Sequence, residues 1–191
     1  MNYELNFATT LTQASGSPRP APALLVTALQ QAEIAARQTK LAIPFDDLIG
    51  EWRLCFATGA KKSKQGRGIV LGNGYYVPKF VLASIAFTRD TAESITGTAT
   101  NQLYLGGLHI KFTGPCRYPG KKNLLVFDFT EIQISLFNRI IYQGKIRGGK
   151  SDAPSFEELS TAKLPFFAFF WAGKNEIAAR GRGGGLALWT R

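Results

Sequence analysis

Chemistry needs particular side chains at particular spacings, and this chain offers few of them. His109 is the only histidine, and no Ser or Cys motif accompanies it in the strand-like run HIKFTG. A nucleophilic site needs a base and an orienting group within reach, so His109 reads as a structural residue. Asp46-Asp47 stand beside Phe45 and Leu48 ahead of a strand-like run. That context suits a turn or a helix cap better than a catalytic carboxylate pair. Gly72-Asn73-Gly74 is a turn signal, because no Gly-Lys-Ser/Thr follows it to build a phosphate loop. Cys55 and Cys116 have neither CxxC nor Cys/His spacing, so they read as two reduced thiols. No catalytic residue, metal or cofactor is expected.

The basic residues are better organised. Lys and Arg number 23 against 13 Asp and Glu, a formal net charge of +10. Such a balance favours nucleic acid, an anionic membrane surface or an acidic partner. Lys61, Lys62, Lys64 and Arg67 cluster in GAKKSKQGRG, Lys121-Lys122 follow a Pro-Gly turn, and Lys145, Arg147 and Lys150 end another run. These are loop and strand-end positions. Either they are a solvated surface or they dock on anionic headgroups, where each contributes about 1 kcal/mol. The set at 61–67 is the expected membrane-docking site. A nucleic-acid surface would interleave exposed aromatics with the cations. Here the aromatics fall mainly on other strand faces, and no nucleic-acid partner is expected.

RGRGGG, at 180–185, looks at first like an RGG segment that binds RNA. EIAAR precedes it and LALWT follows it, and both flanks alternate as strands do. The glycines then supply the positive φ values of a hairpin turn.

The elements that would position these residues follow from periodicity. Leu25, Ala28, Leu29, Ala32 and Ala36 recur at helical spacing, which predicts one amphipathic helix over 23–40. Pro22 suits its first turn, and Pro44 follows its end. SGSPRPAP ahead of it reads as a linker, so residues 1–22 are taken as an arm and 23–191 as a single domain. Beyond the helix the period becomes two. Trp52, Leu54 and Phe56 alternate with Arg53, Cys55 and Ala57. Leu125, Phe127 and Phe129 share a face, and Ile140, Tyr142 and Ile146 share another, which predicts a half-buried strand. The strand-like runs are separated by glycine turns, and eight or more of them mean a sandwich or a closed barrel.

No apolar run reaches the roughly 18 residues that span a bilayer. The first twenty residues lack a basic n-region and an apolar h-region, so no secretory signal is expected. They also carry Glu4 and a single Arg, a poor transit peptide.

Gly50-Glu51-Trp52 is the most informative triplet. It resembles the opening motif of lipocalin-like barrels. A small barrel must close at one end, and an indole is large enough to plug it. A glycine leaves room where the chain passes beneath. An Arg from the last strands can lie across the indole face. The expected closing set is Gly50, Trp52 and Arg180, with Arg182 as the alternative partner.

A helix, FDDLIGEWRLCFATG, further strands and a terminal EIAARGRGGGLALW together resemble the plastid lipid-associated protein (fibrillin) family of photosynthetic organisms. The first strand, read against the family's L-x-G-x-W-x-L-x-Y-T-like run, carries Leu48, Gly50, Trp52 and Leu54, with Phe56 where the family often has Tyr. Arg180-Gly181 matches the family's terminal Arg-Gly. An acidic stretch common before that Arg is replaced here by Trp171, Ala172, Gly173, Lys174 and Asn175, so no role of that acid carries over. The resemblance covers about residues 23–191 and fits a cyanobacterial member. It implies a mainly β protein, an antiparallel lipocalin-like β-barrel with an N-terminal α-helix. It also implies non-enzymatic binding of a fatty acid, prenyl quinone, tocopherol or carotenoid. The expected setting is cytoplasmic or peripheral at the thylakoid membrane, in a plastid if eukaryotic, and not secreted.

The residues support that expectation separately, since apolar ligands need mainly an apolar lining. Trp52, Leu54, Phe56, Phe127, Phe129, Tyr142, Phe167, Phe169 and Trp171 are the candidate lining. The other reading of the same rings is a filled core. Two further functions stay open: a bilin-lyase-type barrel, for which Asp128 and Glu131 fall on different faces, and a basic nucleic-acid-binding barrel.

Overall fold

The computed structural model describes residues 7–62, 69–146, 156–161 and 164–191. Helix α1 (Phe7–Gln13) and helix α2 (Pro22–Gln38) come first. Pro22 sits in the first turn of α2, where its missing N–H costs nothing. Leu25, Ala28, Leu29 and Ala32 are its buried face, as the spacing requires. The helix ends with Lys40 at φ +52°. Leu41 N–H donates to the Ala36 carbonyl at 2.9 Å and Lys40 N–H to Arg37 at 3.3 Å, so the last carbonyls are satisfied by a left-handed cap.

The arm expected over 1–22 is partly folded. Leu11 and Ala14 are fully buried and join Leu25, Ala28 and Leu29 in one apolar cluster. A helix as short as α1 is not stable alone, and it is too short for a clear period; packing on α2 supplies what propensity does not.

The strands are β1 (Gly50–Lys62), β2 (Ile69–Tyr76), β3 (Val81–Arg89), β4 (Thr96–Leu105), β5 (Leu108–Arg117), β6 (Leu124–Phe127), β7 (Glu131–Leu136), β8 (Arg139–Lys145), β9 (Phe166–Ala172), β10 (Glu176–Gly181) and β11 (Leu186–Thr190). Their pairings are antiparallel. Eight of them close a ring in the order β4-β3-β1-β11-β10-β9-β6-β5, with β5 returning to β4. The fold is thus mainly antiparallel β around a closed eight-stranded barrel, in keeping with the lipocalin-like architecture expected.

Two strands change partners along their length. β1 pairs with β3 from Gly50↔Phe87 to Arg53↔Ser84, then with β2 from Phe56↔Tyr76 onward. β5 pairs with β7 over residues 108–113 and with β6 at Cys116 and Arg117. The wall therefore divides at one end, with β1 and β2 on one side and β3, β4, β5, β7 and β8 on the other. The opposite end is closed by the turn Phe45–Leu48, whose Phe45 and Leu48 join the interior cluster.

Two apolar clusters lie on the two sides of the wall. The interior holds Trp52, Ile85, Phe87, Leu125, Phe127, Phe169, Ile177 and Trp189. The outer cluster lies under the helices and includes Phe56, Phe170, Leu186 and Leu188. Bulges decide which residue goes where. The β1–β11 register jumps between Leu54↔Trp189 and Phe56↔Leu188. An extra residue reverses the faces beyond it, so Trp52 and Leu54 point inward while Phe56 points out to the helices. The β9–β10 register jumps between Ala178↔Trp171 and Ala179↔Phe169. Phe169 is therefore interior, while Phe170 and Trp171 pack outside, Trp171 edge-on to Phe7 at 6.0 Å. The assignment of Phe56 and Trp171 to the cavity is corrected accordingly.

The half-buried strand expected around Ile140, Tyr142 and Ile146 is also corrected. All three are exposed. β8 pairs with β7 and lies outside the closed ring, so neither of its faces meets the core.

Candidate functional site

The closed end is built around Trp52, which is fully buried. Its Nε1–H donates to the Leu48 carbonyl at 2.8 Å. The guanidinium of Arg191 lies 3.7 Å from the ring centre. Gly50 takes φ +111°, and a Cβ there would stand 3.4 Å from Arg191 Nη1. Gly50 and Trp52 thus do what the motif implies, but Arg191 is the partner, and neither Arg180 nor Arg182 is. Alternation explains the correction. Ala187 and Trp189 face inward, so Arg191 follows them to the inner side. Ile177 and Ala179 face inward, so Arg180 points out. Arg180 pairs there with Glu33 of α2, Nε donating to Oε1 at 2.7 Å and Nη2 to Oε2, while Nη1 donates to the Gly184 carbonyl. The hydrogen bond to Glu33 holds the Arg180 pKa above its ordinary value. RGRGGG closes the β10–β11 hairpin: Arg180 and Gly181 end β10, Arg182 stands in the turn and Gly184 takes φ +89°.

Phe127, Phe129, Phe167 and Phe169 come together as expected. Ring centres lie 4.9 Å apart for Phe127–Phe129 and 5.2 Å for Phe127–Phe167. Trp189 closes the group at 5.2 Å from Phe167. These rings touch one another, so the closed half of the barrel is filled by side chains. Leu54, Phe129 and Phe167 are only partly buried and mark the edge of the filled part.

Beyond that edge the inner face continues. Residues directly opposite in paired strands share a face. Ala83↔Leu103, Leu103↔Ile110, Ile110↔Ile134 and Ile134↔Tyr142 therefore form one inward row. Leu103, Ile110 and Ile134 are half-buried and Tyr142 is exposed. Phe112 sits one row deeper, 5.9 Å from Phe129. By register the inner face therefore continues as a mainly apolar trough, with Asn101 beside Phe112, from the aromatic cluster to the divided end of the barrel. Tyr142 belongs to its outer lip and not to an enclosed cavity. Apart from Tyr142, sequence reasoning misses this row, although the alternation of Ile110 with Phe112 and of Ile132 with Ile134 carries the signal.

A second opening, with a volume of about 580 Å³, lies between α2, the turn at 120–123 and β9. Ala36, Leu41, Phe169 and Phe170 supply its apolar surface, and Arg37, Lys40 and Lys122 its cations. Phe169 is also part of the interior cluster. Asn123 holds the cleft together, its Nδ2–H donating to Leu41 O at 2.7 Å and its Oδ1 accepting from Ile43 N–H at 3.0 Å.

His109, the two thiols and Tyr118 are structurally engaged. His109 stacks on Tyr104 with ring centres 3.9 Å apart, and its Nε2 lies 3.1 Å from Gln102 Oε1. Desolvation, then the Lys111 charge, lowers its pKa. Both thiols are buried, and burial pushes Cys116 up to about 12. Tyr118 is raised by burial, its hydroxyl donating to Ile43 O at 2.7 Å. Glu131 lies on the outer face with Lys111 and Gln133. Asp128 lies in the link between β6 and β7 and is buried. Glu131 does not enter the trough. Among the described residues no three His, Cys, Asp or Glu side chains are grouped to hold a metal, and no helix is long and apolar enough to cross a membrane.

The expected docking site lies largely outside the described residues. This holds for Lys64, Arg67, Arg147 and Lys150, and for the side chains of Lys61 and Lys62.

Compared with known proteins, the chain matches no family model, no curated protein and no solved structure.

Proposed function

We propose that the protein binds and carries a small hydrophobic molecule, without converting it, in the trough of its barrel. One observation carries this reading. The inward row Leu103, Ile110 and Ile134 stays half-buried instead of filled, and it continues directly from the aromatic cluster. An apolar surface held by paired strands is a preformed lining for an apolar ligand. The protonated, buried thiols and the stacked His109 favour binding over catalysis.

The sequence resemblance supplies the ligand classes: fatty acid, prenyl quinone, tocopherol or carotenoid. It also supplies the setting, peripheral attachment to a photosynthetic membrane. The test is expression in a pigment-producing host, followed by purification, organic extraction and mass spectrometry. A prenyl lipid or acyl chain near one equivalent in the wild type, and much less in Ile134→Glu, supports the reading. A clean extract, together with no uptake of an apolar fluorescent probe, overturns it. A transferable bilin would favour the lyase alternative. Salt-sensitive binding to oligonucleotides would favour the nucleic-acid one.

A further inference from the structure

We infer that the divided end of the barrel docks on an anionic lipid bilayer, with the β7–β8 turn entering it. The inference rests on the membrane attachment proposed above and names the surface that would make it.

The first argument is the turn itself. Phe137 and Asn138 form a two-residue hairpin turn with φ values of +47° and +63°. Such turns select Asn-Gly, because both central residues need positive φ. A phenylalanine there is strained, and Asn or Gly would relieve the strain. The Phe137 side chain is nevertheless displayed, with 78% of the residue exposed. Burial in the protein therefore does not compensate the strain, and strained backbone concentrates where a residue has work to do.

The second argument is the company Phe137 keeps. Its N–H donates to the Gly107 carbonyl at 2.8 Å, and its ring lies where a Cβ on Gly107 would be, 2.5 Å from the nearest ring carbon. The β4–β5 and β7–β8 turns are thus held side by side as one edge. Leu105, Leu136, Ile140 and Ile141 are exposed around them. Phe80, 73% exposed, precedes Val81, which pairs with Leu105 at the same edge. A contiguous exposed apolar patch of this kind marks an interaction surface.

Charge then selects the partner. The segments 75–82, 102–111 and 133–146 build this end and carry Lys79, Lys111, Arg139 and Lys145, with no Asp or Glu. Asp46, Asp90 and Glu93 lie toward the opposite end, Asp46 pairing with Arg89 at 3.1 Å, and the acid nearest these cations, Glu131, stands opposite Lys145 on the outer face. A second copy would bring like charges together. An anionic bilayer takes both the apolar tips and the cations around them. In this orientation the trough opens onto the membrane, so an apolar cargo passes between lipid and protein without crossing water.

The test uses the full chain carrying one environment-sensitive dye, at Ile140→Cys or at Glu93→Cys. Cys55 and Cys116 are buried and do not compete for the label. With vesicles containing about a third anionic lipid, the dye at 140 shifts to the blue and the dye at 93 does not, and added salt weakens the response. Zwitterionic vesicles give a much smaller shift. Replacing Phe80 and Phe137 together by Ser lowers partitioning about tenfold or more with the melting temperature unchanged. If the protein floats with vesicles but only Lys61, Lys62, Lys64 and Arg67→Gln abolishes flotation, attachment stands and this surface is wrong. If the dye at 93 responds instead, the orientation is wrong. Failure to float at all overturns both readings, and a concentration-dependent shift without vesicles gives the surface to a second copy.

Discussion

Arg191 lies across the indole of Trp52, 3.7 Å from its centre, and Gly50 leaves the space in which it does so. The contact joins the start of β1 to the end of β11, the pair of strands that links the beginning and the end of the ring. A guanidinium over a buried indole is worth about 1–2 kcal/mol. Arg191→Ala is therefore expected to lower urea-unfolding stability by about that amount. Trp52→Ala, which also empties part of the core, should cost about 3–5 kcal/mol. A double-mutant cycle should give a positive coupling for Arg191 with Trp52 and none for Arg180 with Trp52. Coupling to Arg180 alone would refute this closure.

Arg180 has a different task. It joins the terminal hairpin to α2 through two hydrogen bonds to Glu33, both partners being mostly buried. Arg180→Ala should cost about 1–3 kcal/mol, between exposed and fully buried pairs. Glu33→Gln should cost a similar amount, and the double variant little more than the worse single one. Additive losses in calorimetry would mean that the two side chains act independently.

The position of Arg180 also indicates what the sequence can and cannot convey. α2 and the Phe127–Phe129 face were legible because each rests on a local period, whereas the closed barrel and the Gly50–Trp52 closure were legible only through the resemblance of a short motif. Phe56 and Trp171 were not, because a single bulged residue in β1 and another in β9 reverse the faces beyond them. A bulge leaves no mark in an alternating pattern until the partner strand is known. Tyr142 failed for another reason. Its strand has the pattern of a half-buried one, but its place outside the ring is a matter of topology. The aromatic half of the candidate site was thus readable, and the open half was hidden in Leu103, Ile110 and Ile134, ordinary apolar residues until register sets them in one row.

Alkaline pH should destabilise the fold through Cys116. Burial, with the Asp90 charge adding to it, raises this thiol from 9.0 to about 12. Between those values the unfolded chain has lost the proton and the native one keeps it. The native state then binds more protons, so stability falls as pH rises through this window. Thermal midpoints recorded from about pH 8 to about pH 11 should drop, and Cys116→Ala should reduce the slope. Tyr118 and Cys55, also raised, leave a residual slope of the same sign. An unchanged slope in Cys116→Ala would show that the thiol ionises freely in the native state.

The trough can be tested without unfolding the barrel. Ile134 is half-buried, so a charge there can reach water. Ile134→Glu should keep the wild-type circular dichroism spectrum and lose uptake of an apolar fluorescent probe about tenfold or more. Phe87→Leu lies in the filled, closed half and should lower stability with uptake unchanged. The reverse pattern would move the ligand site to the closed half.

The β7–β8 turn should show a trade between stability and binding. Phe137 and Asn138 both adopt positive φ. Replacing them by Asn and Gly fits the turn geometry and should stabilise the protein by about 1–2 kcal/mol, the cost of a left-handed residue with a bulky side chain. The same variant removes the most exposed apolar side chain at the divided end. It should therefore melt higher and bind anionic vesicles more weakly, whereas Asn138→Gly alone should melt higher and bind as well as wild type. Because the two effects have opposite signs, loss of folding cannot imitate the result. A variant that melts higher and binds vesicles undiminished would leave the strained phenylalanine without a role at the membrane.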